Sequence, residues 1–336
     1  MNMVTLGNTG LKVSSISFGG IPIQRSDAAN TLAVVDELEK FGINFIDTAR
    51  GYTVSEEYLG AALKGRRDKF ILATKSMSRS REAMEKDIGI SLGNLQTDYI
   101  DLYQIHNLPL KDFDQVFGPD GAYEALAQAK AEGKIRHIGA TAHSLEALRL
   151  LVEEHAHQIE TVMFPYNIVE MQGHEVLALA REKGIGTIAM KPMAGGNLDD
   201  WNLALRFIAA SGVMDVSIPG MGSVEEVQRN AQEDLSAPLT QEELEECQRI
   251  RAELGTHFCR RCGYCAPCTV GINIPSQFLM ANYARRYGLV DWAVERYMVL
   301  DHHAGECVGC GACETRCPYE LPIREMLRDV AKEFGC

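Results

Sequence analysis

Residues 42–52 read "GINFIDTARGY": a short apolar run that stops on Asp47, followed by a loop that carries Tyr52. A short apolar run set off by glycine is the pattern of a strand buried on both faces, as strands of a parallel sheet are. The pattern recurs in "SSISFGG" (14–20), "FILATK" (70–75), "YIDLYQIH" (99–106), "HIGATAH" (137–143), "TVMFPYN" (161–167), "GTIAMKP" (186–192) and "VSIPGM" (216–221). Between the runs lie stretches such as "TLAVVDELEKFG", "GAYEALAQAKAEGK" and "HEVLALAREKG", with apolar residues at helical spacing and a glycine near the end. Eight strand-helix alternations predict an α/β fold, an eight-stranded (β/α)8 TIM barrel. The opening "VTLGNTGLKV" has β-rich flanks around an Asn-Thr-Gly turn and predicts a hairpin plugging the barrel floor.

The alternation stops near residue 235 at "SAPLT", so the barrel is expected over 1–235. "TQEE" from Thr240 to Glu243 has the form of a capping box, which predicts a linker helix within 236–255 ending about Leu254. A second domain is expected over 256–336, where the composition shifts to cysteine. The formal charge of -13 argues against nucleic acid or anionic lipid as partner, since proteins meet those polyanions with basic patches. Residues 255–336 carry nine Lys+Arg and nine Asp+Glu, so the acidity lies entirely in the barrel part and reads as a solubility feature. No apolar run reaches the roughly 20 residues of a membrane span, and "MNMVTLGNTG" has no basic leader, which predicts a cytoplasmic protein.

Three of the predicted strands end at the carboxyl side in Asp47, Lys75 and His106, residues that hydrophobic packing would not select. Barrel active sites form at that end. Taken singly, Asp47 could cap a helix, Lys75 could be solvated and His106 could be a core residue. Together with Tyr52 they put a carboxylate, an ammonium, a phenol and an imidazole at one mouth. On "GINFIDTARGYTVSEEYLGAAL", "ILATK", "DYIDLYQIHN" and "LGNTGLKVS" the chain resembles the aldo-keto reductase family, from residue 3 to about 235. The resemblance implies Tyr52 as proton donor, Lys75 and Asp47 as its paired neighbours, and His106 orienting the substrate carbonyl.

The chemistry suits those roles. A tyrosine ordinarily titrates near pH 10, and an ammonium beside it stabilises the phenolate and lowers that value. The resemblance further implies NAD(H) or NADP(H) held at the barrel mouth and a small carbonyl or alcohol substrate. It places Asn167 on the nicotinamide amide, "SIPGMGSVEEVQRN" (217–230) on the phosphates and adenosine through Gly220, Met221, Gly222, Ser223, Glu226 and Asn230, and His143 and Ser144 beside them. His143 could equally be a helix N-terminal residue. Members that use NADP place a lysine and an arginine around the 2'-phosphate. Here Gly220 and Glu226 stand instead, and a carboxylate repels a phosphate, so NADH is favoured.

Nine of the ten cysteines follow residue 255. Cytosolic thiols are kept reduced, so metal is a better reading than disulfides. "CVGCGACETRCP" sets Cys307, Cys310, Cys313 and Cys317 before a proline, the bacterial ferredoxin run in which three thiolates at every third position wrap one [4Fe-4S] cluster and the fourth, more distant, usually goes to its neighbour. "CRRCGYCAPC" supplies Cys259, Cys262, Cys265 and Cys268, but only two residues separate the last pair and Thr269 replaces the proline. Eight ligands in two runs favour two [4Fe-4S] clusters over zinc. The intervening "PSQFLMANYARRYGLVDWAVERYM" reads as helix, so the second domain resembles a mainly helical ferredoxin-like domain. Cys247 and Cys336 lie outside both runs, and the adjacent His302 and His303 point apart. The chain thus resembles an iron-sulfur type of aldo-keto reductase. Coupling hydride transfer to clusters calls for a converter such as a flavin, which no motif shows, and for a one-electron donor or acceptor protein. Two alternatives are a carbonyl reductase with structural clusters and a non-enzymatic electron-transfer protein on a barrel scaffold.

Overall fold

The computed structural model describes residues 1–232, 235–255, 258–287 and 290–336, without the side chains of residues 286 and 287. The chain divides into two units: residues 1–194 with 198–252, and residues 195–197 with 253–336. The start expected at Thr256 lies outside the described residues. The helix Gln241–Leu254 falls with the barrel as far as Ala252. It is fastened there by Glu243 to Arg206 and by Arg251 Nε, which donates to the Ile168 carbonyl at 2.6 Å. Its capping box is complete: Glu243 N donates to Thr240 Oγ1 at 3.2 Å and Thr240 N to Glu243 Oε2 at 2.8 Å.

In the first unit β1 (Met3–Thr5) and β2 (Lys12–Ser14) form the antiparallel hairpin. Eight parallel strands follow: β3 (Phe18–Gly19), β4 (Phe45–Asp47), β5 (Ile71–Ser76), β6 (Ile100–Ile105), β7 (Ile135–Thr141), β8 (Thr161–Pro165), β9 (Gly186–Met190) and β10 (Val216–Ile218). They pair in sequence order, and bridges from Ile16 to Ser217 and from Gly19 to Gly220 bring the first strand against the last. A side chain on Gly19 would strike the Ile218 carbonyl at 2.8 Å, which is why the seam needs glycine. Leu6 and Val13 of the hairpin pack with Phe45, Ala73, Leu102, Met163 and Ile188, filling the barrel interior from its floor. The helices start and stop on local signals. Asp27 accepts from Asn30 N at 2.8 Å to open Ala28–Phe41, and Gly42 at φ 70° closes it.

The second unit is mainly helical, with Ile274–Tyr287, Val290–Met298 and Ile323–Phe334 around a core of Ile272, Phe278, Tyr297, Leu321, Leu327 and Val330. The stretch read as helix over 275–298 is thus two described helices, and residues 288–289 between them lie outside the described residues. No helix among the described residues is long and apolar enough to cross a membrane.

Candidate active site and cysteine centre

Asp47 ends β4, Lys75 lies one residue before the end of β5, and His106 follows β6, so the parallel register brings all three to one end of the barrel. They are 3%, 2% and 2% exposed. Lys75 Nζ donates to Asp47 Oδ2 at 2.5 Å and to the Thr48 carbonyl at 2.6 Å. Its ammonium stands 4.9 Å from the centre of the Tyr52 ring, and the His106 ring meets that phenol edge-on at 5.9 Å. Tyr52 is half-buried and is presented by a tight turn: its N–H donates to the Ala49 carbonyl at 3.0 Å, and Ser55 N donates to its carbonyl at 2.8 Å.

Burial disfavours charge throughout the site. It raises the Asp47 carboxyl and lowers the Lys75 ammonium from their ordinary values, each opposed by the charge of the other. The His106 imidazole is held well below its usual range by burial and by the positive charges of Lys75, Arg79 and Lys191. His143 is lowered in the same way by burial, Lys191 and His106. Both rings are therefore neutral at neutral pH, and a neutral imidazole carries one N–H that can hydrogen-bond an oxygen.

Four supporting residues escaped the sequence reading. Gln104 of β6 donates to Asp47 Oδ1 at 3.3 Å. Glu56, one of two adjacent glutamates in the first turn of the helix Ser55–Ala62, is buried and accepts from Thr74, Ser91, Asn94 and Arg50. Arg50 fixes the loop before Tyr52, since its backbone N–H also donates to the Lys75 carbonyl at 2.9 Å. Lys191 follows β9 in the left-handed region at φ 56°, and its carbonyl accepts from Asn167 Nδ2 at 3.0 Å.

The residues expected to hold a dinucleotide differ in how far they are occupied within the chain. Asn167 uses both amide hydrogens, on Glu170 Oε2 and the Lys191 carbonyl, and its oxygen accepts from Val169 N and Glu170 N. A nicotinamide amide would have to replace one of these bonds. Ser144 caps the helix Leu145–Glu153 through Ala147 N at 3.2 Å, with the buried His143 just before it. Gly220, the buried Met221 and Gly222 lead into the helix Val224–Ala231, which Ser223 caps through Glu226 N. The Glu226 carboxylate folds back onto this loop and accepts from Gly222 N at 2.6 Å. Asn230 is fully buried, yet among the described residues neither its side-chain nitrogen nor its oxygen has a hydrogen-bond partner. An orphaned buried amide is costly and suits a ligand that satisfies it.

A model of the aldo/keto reductase family matches residues 15–203, and one of a 4Fe-4S dicluster domain matches residues 258–322. The chain belongs to the aldo/keto reductase family. It is 30% identical to L-galactose dehydrogenase of Arabidopsis thaliana over 300 residues, covering 73% of this chain and 92% of that protein. It is 28% identical over 230 residues to the NADH-specific methylglyoxal reductase of Escherichia coli, covering 59% and 69%. The holo form of aldo-keto reductase AKR11C1 from Bacillus halodurans superposes with a TM-score of 0.65 at 29% identity, over 74% of this chain and 96% of that one. This aldo/keto reductase therefore joins an oxidoreductase barrel to an iron-sulfur domain.

Within that domain the thiols sort across the two runs. Burial, helped by the charge of neighbouring thiols, pushes Cys259 up to about 11 and Cys265 up to about 12, and the neighbours that act on them are Cys262, Cys317 and, for Cys265, Cys259. Cys268, Cys307, Cys310 and Cys313 line one small cavity, where Thr269 Oγ1 stands 3.3 Å from Cys310 Sγ. Each group thus takes three thiols from one run and the fourth from the other. Among the described residues no three His, Cys, Asp or Glu side chains are drawn tightly enough together for a single ion. Two loose sets of four soft donors, most of them packed on an apolar core, are what iron-sulfur cubanes use. Cys247 is buried in the helix Gln241–Leu254, Cys336 is exposed, and His302 and His303 both bond Glu306.

Proposed function

We propose that this protein is a nicotinamide-dependent carbonyl reductase or alcohol dehydrogenase acting on a small molecule, with two [4Fe-4S] clusters. The observation that carries the reading is the buried Lys75, 2.5 Å from Asp47 and 4.9 Å from the Tyr52 ring centre. When bound, a reduced nicotinamide would supply a hydride for the carbonyl carbon. As charge develops on the carbonyl oxygen, Tyr52 gives up its phenolic proton to it and the neutral His106 N–H hydrogen-bonds it. Asp47 and Gln104 hold Lys75 where its charge stabilises the phenolate left on Tyr52.

The dinucleotide would lie along the loop Gly220–Ser223, with adenosine satisfying Asn230 and with His143 and Ser144 near the nicotinamide. Glu226 over Gly222 favours NADH, because its carboxylate occupies the backbone donor a 2'-phosphate would seek. The E. coli relative is NADH-specific by its name, in keeping with this preference.

Cys259, Cys262, Cys265 and Cys317 would hold one cluster, and Cys307, Cys310, Cys313 and Cys268 the other. Each cluster supplies one-electron capacity when bound. The exposed Cys310 and Val308 give the second set an edge open to a protein electron donor or acceptor. Tyr52→Phe should bind NADH as the parent does and lose at least roughly 100-fold in turnover, the typical contribution of general acid catalysis. An anaerobic screen of carbonyls with NADH measures both, and near-parent turnover by the variant would refute the assignment.

A further inference from the structure

The connection that leaves β9 makes an unusual excursion. Lys191, Ala194, Gly195 and Gly196 all have positive φ, at 56°, 47°, 69° and 87°. Such a run survives only where its surroundings over-determine it. Its base is pinched within the barrel unit, where Ala194 N donates to the Lys191 carbonyl at 2.8 Å and Leu198 N to the Met193 carbonyl at 3.3 Å. Its tip, residues 195–197, is part of the cysteine unit.

The tip is fitted closely there. A Cβ on Gly195 would lie 2.5 Å from the Arg260 carbonyl oxygen, and one on Gly196 would lie 1.9 Å from an Arg261 guanidinium nitrogen. Arg261 Nε donates to the Gly195 carbonyl. Asn197 is buried, with Nδ2 donating to the Cys259 carbonyl at 3.4 Å and Oδ1 accepting from Asn282 Nδ2 at 3.0 Å. Arg261 N, one residue pair further on, faces Cys259 Sγ at 3.4 Å, the contact through which backbone amides tune a thiolate ligand. Cys259 itself and Arg261, two residues on, are thus held by a segment that begins after the strand β9.

We propose that residues 195–197 position Cys259 for its cluster, with Asn197 as the positioning residue, and thereby couple the state of that cluster to occupancy of the barrel mouth. The coupling rests on the reading that a dinucleotide binds at that mouth. It is reciprocal: if the redox state of the cluster shifts this segment, dinucleotide affinity depends on redox state, and the converse holds.

The test uses the cluster-loaded full chain with the variants Asn197→Ala and Asn197→Asp, the second keeping the acceptor for Asn282 but losing the donor to Cys259. Iron content and the EPR spectrum of the dithionite-reduced protein are recorded. ADP-ribose, a redox-inert dinucleotide fragment, is titrated calorimetrically into the oxidised and the reduced protein. Both variants should lose about half the iron or shift one set of resonances while the other set stays as in the parent. In the parent, ADP-ribose affinity should differ between the redox states by at least about fivefold, the low end of typical couplings, and the difference should vanish in both variants. Parent-like iron and spectra in both variants would overturn the positioning role. Equal affinity in the two redox states of the parent would overturn the coupling. If ADP-ribose binds neither state, the dinucleotide reading and the coupling built on it both fall, while the positioning role is still decided by the spectra.

Discussion

Removing Lys75 tests whether the buried pair at the barrel mouth is an ion pair that matters energetically. Lys75→Met leaves Asp47 about 3% exposed with Gln104 at 3.3 Å as its remaining side-chain donor, and it also orphans the Thr48 carbonyl. Breaking a buried pair from one side costs about 3–5 kcal/mol, because the other charge is left without its partner. For a barrel of this size that is a drop in Tm of roughly 6–20 °C. Asp47→Leu should cost a similar amount by stranding the ammonium. The double variant removes both charges and leaves the Thr48 carbonyl and the Gln104 amide without these partners, so it should be less destabilised than the sum of the singles by about 2–3 kcal/mol. Far-UV circular dichroism on anaerobic, cluster-loaded protein at one fixed scan rate, with urea midpoints alongside, gives the cycle. All three variants should be catalytically dead, so the informative quantity is stability. A double variant whose loss equals the sum of the singles would show that Lys75 and Asp47 do not sense each other, and the account of Tyr52 activation would fail with it.

The protein should bind NADH at least about fivefold more tightly than NADPH, the effect of a like charge about 4 Å away at high dielectric, and Glu226→Gln should narrow the gap; tighter NADPH binding by the parent would refute this. His106 and His143 titrate below the unfolded value of 6.5, so between that value and their depressed folded values the unfolded chain binds more protons and stability falls as pH falls. Thermal midpoints from pH 7.5 to 5.5 should therefore drop more steeply in the parent than in His143→Asn, and parallel profiles would remove the histidines from the acid response. Cys268→Ser should erase the same EPR resonances as Cys310→Ser, and Cys317→Ser the same as Cys262→Ser; matching within each sequence run instead would overturn the crossed assignment.

Much of the barrel was legible because its code is local. Each strand is a short apolar run with a stop, and polar residues at the stops stand out against packing, which is how Asp47, Lys75 and His106 declare themselves. What holds those residues was not legible. Glu56 sits in "SEE" as if facing solvent, yet it is buried by contacts with Thr74, Ser91, Asn94 and Arg50 that only the folded chain brings together. Asn167 is expected on the nicotinamide amide, and the folded chain adds what the sequence does not show, that its hydrogen-bonding positions already have partners within the chain. The converse holds for Asn230, which nothing among the described residues satisfies.

The cysteines show where spacing stops being informative. Spacing identifies eight thiols and, through the longer link before Cys317, implies that the fourth thiol of the second run goes to the neighbouring cluster, but the even spacing of the first run across 38 intervening residues leaves the place of Cys268 open. The departure at "CAPCT" looked like a reason to doubt Cys268. Yet Thr269, standing where a proline was expected, reaches Cys310 across the domain, and the Pro267 carbonyl accepts from Arg316 at 2.7 Å. The end of the first run is thus tied to the second run, which supports the proposal that Cys268 serves the second set and Cys317 the first. On that proposal the local exception and the crossed pairing are one feature: the link after Cys265 has to carry Cys268 to the other set, where Thr269 already meets Cys310.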